Sequence, residues 1–213
     1  MRYKGVLFDL DGTLLDTSGL IIHTFQYSFE KVVNKKISRE EILRYWGVPL
    51  ADALQELDPV HWQELLQVYR EYNVRMHDEL VEAFPNVKQT LQALHDQDIK
   101  CAVVSSKLSP VVKKGLELYG LQDYFVDVIG AEHCIEHKPH AEPVLKGVAA
   151  LQLNAVECLM VGDTEFDILA AHNAGVQSVA VAWSLLYPQP LLQRANPNYV
   201  INTMPDLLKI IKE

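Results

Sequence analysis

Cysteine is scarce in this sequence, with three residues in a chain of 213. Two of them, Cys101 and Cys158, fall inside apolar runs typical of buried strands, where a thiol behaves as a small hydrophobic side chain. An odd number of cysteines in such positions gives no sign of a disulfide framework and fits a reducing compartment. We therefore expect a cytoplasmic protein.

Basic residues and long apolar runs are also few. The chain has 19 Lys and Arg residues against 28 Asp and Glu residues, which gives a net charge of −9. This charge disfavours nucleic acid and anionic membranes as main partners, because both are negatively charged. No apolar run approaches the length of a membrane span, and no apolar segment of a signal peptide follows Met1-Arg2-Tyr3-Lys4. We expect no nucleic-acid partner and no membrane association.

Strand-like runs are absent from residue 17 to about residue 81, where apolar residues recur at helical spacing. Beyond Phe84-Pro85-Asn86, helices and strands alternate, and no repeat or low-complexity segment interrupts them. This alternation indicates an α/β fold with a doubly wound, Rossmann-like parallel sheet. We predict a core domain formed by residues 1–16 and 82–213, with residues 17–81 inserted as an all-helical cap domain.

The most specific segment is Val6-Leu7-Phe8-Asp9-Leu10-Asp11-Gly12-Thr13, a buried strand that ends in two carboxylates. Gly12 breaks the strand, so both acids lie at its carboxyl end, the edge where open parallel sheets bind ligands. Two carboxylates about 4 Å apart repel each other by roughly 4 kcal/mol at an effective dielectric constant near 20. Mg²⁺ would offset this repulsion, and it also binds phosphate oxygens. An acidic turn without a ligand is the simpler interpretation of the Asp-x-Asp pattern alone.

Polar side chains also follow later strands of the predicted sheet. Ser105, Lys138 and Asp163 are placed in this way, and Asp167 lies one helical turn after Asp163. Each has a simpler interpretation when taken singly: Ser105 as a helix N-cap, Lys138 as a solvated lysine, Asp167 as an acid in a first helical turn. Because parallel strands present their carboxyl ends at one edge, we expect all four to meet Asp9 there.

These segments resemble, in order, the four motifs of the haloacid dehalogenase superfamily. Asp9-Leu10-Asp11-Gly12-Thr13 resembles the first motif, Ser105 the second, Lys138 the third, and Gly162-Asp163-Thr164-Glu165-Phe166-Asp167 the fourth. Dehalogenases of that superfamily lack the second Asp of the first motif. The presence of Asp11 therefore points to phosphoryl transfer.

The resemblance implies a phosphohydrolase that works through an aspartyl-phosphate. Asp9 would attack phosphorus, and Asp11 would act first as acid and then as base. Ser105 would bind a phosphoryl oxygen, and Lys138 would neutralise the nucleophile and the phosphoryl charge. These four residues are the predicted catalytic residues.

The resemblance also implies a Mg²⁺ cofactor. Its ligands would be the Asp9 side chain, the Asp11 backbone carbonyl and Asp163, while Asp167 would order metal-bound waters or pair with Lys138. The candidates for binding substrate are Thr13, Gly47, Ser106 and Lys107. Of these, Lys107 would meet the second phosphate of pyrophosphate, although a solvated lysine near a helix start is the simpler interpretation.

Five further segments are informative by their order: Gly47-Val48-Pro49-Leu50, Ser105-Ser106-Lys107, Lys138-Pro139, Met160-Val161-Gly162-Asp163 and Val181-Ala182-Trp183. In these segments, and over essentially its full length, the sequence resembles bacterial pyrophosphatases of the PpaX type. Phosphoglycolate phosphatases share most of these segments. The expected substrate is therefore inorganic pyrophosphate or a small phosphate monoester, with phosphoglycolate as the alternative. Sugar-phosphate mutases use a histidine in the first cap helix, but Ile21 occupies that place and His23 lies on a different helix face, which disfavours a mutase. The sequence gives no oligomeric state.

Two alternatives of other kinds stay open. One is a phosphate-binding regulatory protein without turnover, although the residues that such a protein would lose first are all present: Asp9, Asp11, Lys138 and Asp163. The other is a zinc site, because His133, Cys134, His137 and His140 have the spacing of zinc ligands. A zinc site needs a partner pair of ligands, and none is evident. We therefore favour the phosphohydrolase.

Overall fold

The computed structural model describes residues 2–184 and 189–212. The chain divides into two compact units, one formed by Met1–Asp16 with Ala83–Glu213 and the other by Thr17–Glu82. The boundary after the insertion falls one residue later than the predicted one. No helix in the described ranges combines the length and the apolarity that a membrane span requires.

The first unit contains a six-stranded sheet in the order β5-β4-β1-β6-β7-β8, and all of its pairings are parallel. The chain builds outwards from the central strand β1 in one direction and then in the other, which is the topology of a doubly wound sheet. The predicted α/β fold with a Rossmann-like parallel sheet is therefore confirmed. The strands are β1 (Gly5–Phe8), β2 (Leu15–Asp16), β3 (Glu82–Ala83), β4 (Lys100–Val104), β5 (Phe125–Ile129), β6 (Cys158–Gly162), β7 (Gln177–Val181) and β8 (Tyr199–Ile201), of which β2 and β3 form a separate pair.

The regular secondary structure of the second unit is helical up to Leu80. Its helices are α1 (Ser18–Val33), α2 (Arg39–Leu43), α3 (Leu50–Leu57) and α4 (Trp62–Leu80). Phe29, Leu54 and Leu65 are fully buried in its core. A capping box starts α2, since Ser38 Oγ accepts from the Glu41 N–H at 3.2 Å and the Glu41 carboxylate accepts from the Ser38 N–H at 2.9 Å.

The first unit also contains helices. They are α5 (Val87–His95), α6 (Ser109–Leu118), α7 (Glu142–Leu151), α8 (Glu165–Asn173), α9 (Gln189–Arg194) and α10 (Leu207–Ile211). α7 packs on β1, β4 and β5, while α8 packs on β6 and β7. Because the central strands are buried, their sequences are continuous apolar runs, as in Val6-Leu7-Phe8. The apolar run of a central strand ends where its first polar residue begins, as at Asp9 after Phe8.

Candidate active site

Three neighbouring strands each lead into a polar residue at the same edge of the sheet. Asp9 follows β1, Ser105 follows β4 and Asp163 follows β6, and β1 pairs with both of the other strands. All three residues are buried. Parallel topology therefore brings them together, because the carboxyl ends of the strands share one edge.

The turn after β1 depends on Gly12. Its φ of +76° lies in the left-handed region, and the Leu10 carbonyl accepts hydrogen bonds from the N–H groups of residues 13–15. A Cβ atom on Gly12 would lie 2.1 Å from Asp163 Oδ2 and 2.9 Å from Ser184 Oγ. Glycine is required here both by the backbone conformation and by the close approach of Asp163.

Lys138 joins two of the buried acids. Its Nζ donates to Asp9 Oδ1 at 2.7 Å, to Asp167 Oδ1 at 2.6 Å and to the Val104 carbonyl at 3.2 Å. Burial by itself would lower the pKa of Lys138, but Asp167 and Asp9 outweigh burial and raise this pKa above its usual range. Lys138 therefore stays positively charged, with three acceptors around its ammonium group.

Burial acts in the opposite direction on Asp9. It raises the pKa of the Asp9 carboxyl from its ordinary 3.8 to about 7, against the lowering effect of Lys138 and with further raising by Asp167 and Asp11. One ammonium group shared by two carboxylates does not compensate both of them. The site therefore has an excess of negative charge that favours a bound cation.

Both carboxylate oxygens of Asp167 are engaged by protein donors. Oδ1 accepts from Lys138, while Oδ2 accepts from the Thr164 N–H at 3.1 Å and from the Thr164 hydroxyl at 2.7 Å. The contacts with Thr164 form a capping box at the start of α8. Asp167 thus orients Lys138 and closes a helical turn, and its predicted pairing with Lys138 is present.

The buried acids fit a divalent cation. One oxygen from each of Asp9, Asp163 and Asp167 lies within 4.8 Å of the others. Ser184 holds Asp163, because its hydroxyl donates to Asp163 Oδ2 at 2.6 Å. Carboxylate oxygens are the ligands that hard divalent cations prefer. Both oxygens of Asp167 bind protein donors, so this acid is already engaged before any cation binds.

Asp11 lies on the same turn and pairs with Lys107. Lys107 Nζ donates to Asp11 Oδ1 at 2.6 Å, and each side chain is 19% exposed. The Lys107 backbone N–H donates to Ser105 Oγ at 3.1 Å. The N-cap of α6 is Leu108, so the interpretation of Ser105 as that N-cap is wrong. Ser105 lies three residues before Leu108, and its hydroxyl oxygen accepts a hydrogen bond within the loop that carries Lys107.

The family model of the haloacid dehalogenase-like hydrolases matches residues 6–181. This range includes the turn after β1, the Lys138 loop and the start of α8. The chain is a haloacid dehalogenase-like hydrolase. The family resemblance predicted from the four motifs is thereby confirmed.

Individual proteins are similar to this hydrolase over nearly its whole length. A protein from Caldanaerobacter subterraneus subsp. tengcongensis, whose name places it provisionally with pyrophosphatase PpaX, is 46% identical over 100% of this chain and 96% of its own length. The pyrophosphatase PpaX of Halalkalibacterium halodurans is 40% identical over 99% of this chain and 98% of its own. A crystal structure titled as a predicted phosphoglycolate phosphatase from Haemophilus somnus has a TM-score of 0.86 and 27% identity, covering 99% of this chain and 98% of that one.

The predicted substrate-binding residues of this hydrolase lie in different places. Thr13 is fully buried, and its hydroxyl has no hydrogen-bond partner within the described part of the chain. Ser106 is partly exposed, directly after Ser105. Gly47 belongs to the second unit, with a φ of +85°. Thr13, Ser106 and Lys107 therefore share the unit that carries the acids.

The four residues with the spacing of zinc ligands do not form a ligand set in the described part of the chain. His133 Nδ1 accepts a hydrogen bond from the Gly130 N–H at 3.0 Å, and His140 Nε2 lies 3.5 Å from Glu136 Oε2. Within residues 2–184 and 189–212, the cluster of Asp9, Asp163 and Asp167 is the sole group of three or more side chains suited to a metal. The structure therefore gives no support to a zinc site in this segment.

The motifs did not indicate that Ser184 and Thr164 hold Asp163 and Asp167. A signal for Ser184 existed, because this hydroxyl follows β7, the strand that pairs with β6. Its role was hidden because two residues separate Ser184 from the end of β7. Thr164 stands three residues before Asp167, which is the spacing of a capping box.

Proposed function

We propose that this phosphatase of the haloacid dehalogenase family hydrolyses inorganic pyrophosphate, with Mg²⁺ as its cofactor and Asp9 as its nucleophile. The observation that carries the proposal is the buried Lys138 ammonium group, held 2.7 Å from Asp9 and 2.6 Å from Asp167. A fixed cation beside a carboxylate nucleophile offsets the charge of an incoming phosphoryl group. Full-length similarity to pyrophosphatases PpaX supports the choice of substrate.

The proposed reaction has two steps. An Asp9 carboxylate oxygen bonds to phosphorus while the bond from phosphorus to the leaving oxygen breaks, and Asp11 donates its proton to that oxygen. Asp11 then takes a proton from a water molecule, whose oxygen attacks the aspartyl-phosphate at phosphorus and releases phosphate from Asp9. Asp11 ends the cycle protonated, as it began.

Asp9, the Asp11 carbonyl and Asp163 are proposed to hold Mg²⁺, which when bound offsets the repulsion between carboxylate and phosphate. Ser105 and Lys138 are proposed to bind the phosphoryl oxygens, and Ser106 and Thr13 are further candidates for binding substrate. The hydroxyl of Thr13 supports this assignment because it is buried and has no hydrogen-bond partner among residues 2–184 and 189–212. A buried hydrogen-bonding group left in that state costs about 1–3 kcal/mol, which a bound oxyanion would offset.

We propose that the second unit, Thr17–Glu82, serves as the cap that selects the substrate, with Gly47 as its binding candidate. Phosphoglycolate is the second candidate substrate, favoured by the 27% identity to the Haemophilus somnus protein. Small phosphorylated compounds are the proposed partners, in the cytoplasm.

The test of the proposed function measures phosphate release from pyrophosphate, phosphoglycolate, a sugar phosphate and a nucleotide, with and without Mg²⁺. Pyrophosphate with Mg²⁺ is expected to give the highest kcat/KM. A higher value for phosphoglycolate would make that compound the substrate. No release from any of the four would favour a phosphate-binding protein without turnover.

Ser184→Ala is expected to weaken Mg²⁺ binding about 10- to 100-fold, since partners that orient metal ligands have effects of this size. The reason is the 2.6 Å hydrogen bond that fixes Asp163 Oδ2. Calorimetric titration with Mg²⁺ in the absence of substrate measures the change. Ser184→Thr keeps the hydroxyl and should keep most of the affinity, whereas full affinity in Ser184→Ala would remove Ser184 from the site.

A further inference from the structure

Lys107 is held in place by two loops. Its backbone N–H donates to Ser105 Oγ at 3.1 Å, and its carbonyl accepts from the Ala131 N–H at 2.8 Å. The loop after β4 and the loop after β5 thus fix the backbone of Lys107, while its side chain reaches Asp11 Oδ1 at 2.6 Å. The position of its ammonium group is therefore set by the fold.

This ion pair keeps some access to solvent. Each partner is 19% exposed, so the Lys107 ammonium group is not sealed inside the protein. The other lysine of the site differs, because Lys138 is buried with Asp9, Asp167 and a carbonyl around it. Lys107 keeps an accessible face next to Asp11, so an anion can share it.

Position gives Lys107 a specific use. The Lys107 ammonium group lies 2.6 Å from Asp11 Oδ1, whereas the Lys138 ammonium group lies 2.7 Å from Asp9 Oδ1. Asp11 carries a proton at the start of the proposed cycle, so it does not then neutralise Lys107. A leaving group with a negative charge of its own can pair with this ammonium group, because both lie on the side of Asp11.

We propose that Lys107 selects phosphoryl donors whose leaving group carries its own negative charge, either a second phosphate or a carboxylate. This proposal rests on the proposed function, in which Asp11 protonates the leaving oxygen. A group in contact with Asp11 lies beside the departing part of the substrate. A neutral leaving group has no charge for Lys107 to bind. Pyrophosphate and phosphoglycolate both meet the requirement.

The experiment compares Lys107→Met and Lys107→Arg with the unchanged protein, using Lys113→Met on α6 as an exposed matched control. The substrates are pyrophosphate, phosphoglycolate and phenyl phosphate, whose leaving group has no further charge. Lys107→Met should lower kcat/KM for the charged class about 10- to 100-fold and for phenyl phosphate less than about 3-fold, as expected for a lost charge-assisted hydrogen bond. Lys107→Arg should recover most of the loss, and Lys113→Met should change neither class.

A binding measurement covers the case in which phenyl phosphate is not hydrolysed. Imidodiphosphate, which resists hydrolysis, should bind Lys107→Met about 10- to 100-fold more weakly in calorimetry with Mg²⁺, while inorganic phosphate should bind unchanged. An equal loss for both ligands or for both substrate classes would show that Lys107 only positions Asp11, and no loss would remove Lys107 from recognition. Failure of the proposed function looks different, because the unchanged protein would then release no phosphate.

Discussion

Asp9→Asn is expected to lower phosphate release with Mg²⁺ by about 10⁴-fold or more, because an amide cannot form the aspartyl-phosphate. The substitution keeps the size and shape of the side chain at a buried position, so the fold should persist. Initial rates of phosphate release from pyrophosphate measure the loss. Substantial residual turnover would contradict the assignment of Asp9 as nucleophile.

The same variant has a second expected result that does not depend on activity. The pKa of Asp9 is raised from 3.8 to about 7 by burial, so the folded state holds this proton more tightly than the unfolded chain does. Ionisation of Asp9 therefore costs stability as pH rises from about 4 through 7, and the full cost is present above pH 7. Asp9→Asn should unfold with a free energy higher by on the order of 2–4 kcal/mol at pH 8 in a chelator, and with little difference near pH 4.

Urea unfolding at both pH values measures this difference. Asp123→Asn, at an exposed position outside the site, is the matched control and should change little at either pH. A variant no more stable than the unchanged protein at pH 8 would mean that the surroundings of Asp9 tolerate its charge, contrary to its raised pKa.

Lys138→Met is expected to destabilise the metal-free protein by about 3–5 kcal/mol at neutral pH, because it leaves two carboxylates buried without their counter-ion. Asp9 and Asp167 are the acids concerned, at 2.7 and 2.6 Å from the Lys138 ammonium group. Phosphate release should also fall, by about 10³-fold, since no cation would offset the phosphoryl charge. Urea unfolding and initial rates give the two values.

The double variant Lys138→Met with Asp167→Asn separates stability from catalysis. Removing one uncompensated carboxylate should recover much of the lost stability but none of the activity. Lys146→Met is the surface control, because Lys146 pairs with Glu142 at 2.8 Å on an exposed side of α7, where loss of an ion pair should matter little. Wild-type activity in Lys138→Met would exclude Lys138 from binding the phosphoryl group.

The sequence alone was enough to predict strands and turns, because the signals for them lie within short segments of the chain. The alternation of helices and strands along the chain predicted the parallel sheet. Its central strands were recognisable because burial on both faces makes each of them a continuous hydrophobic run. Gly12 predicted the turn that places Asp9 and Asp11 together. Each of these signals depends on residues within a few positions of one another.

Other contacts between distant segments became evident only in the tertiary structure. Lys107 reaches Asp11 across 96 positions of the sequence, and Ser184 reaches Asp163 across 21. Strand order and loop paths set such contacts, and hydrophobic periodicity encodes neither. The raised pKa of Asp9 also lies outside the sequence pattern, because it depends on how much water the surrounding strands exclude. The sequence by itself thus determined the family and the strand ends that carry its motifs, while the tertiary structure decided charge pairs such as Lys107 with Asp11, because charges pair by distance in space.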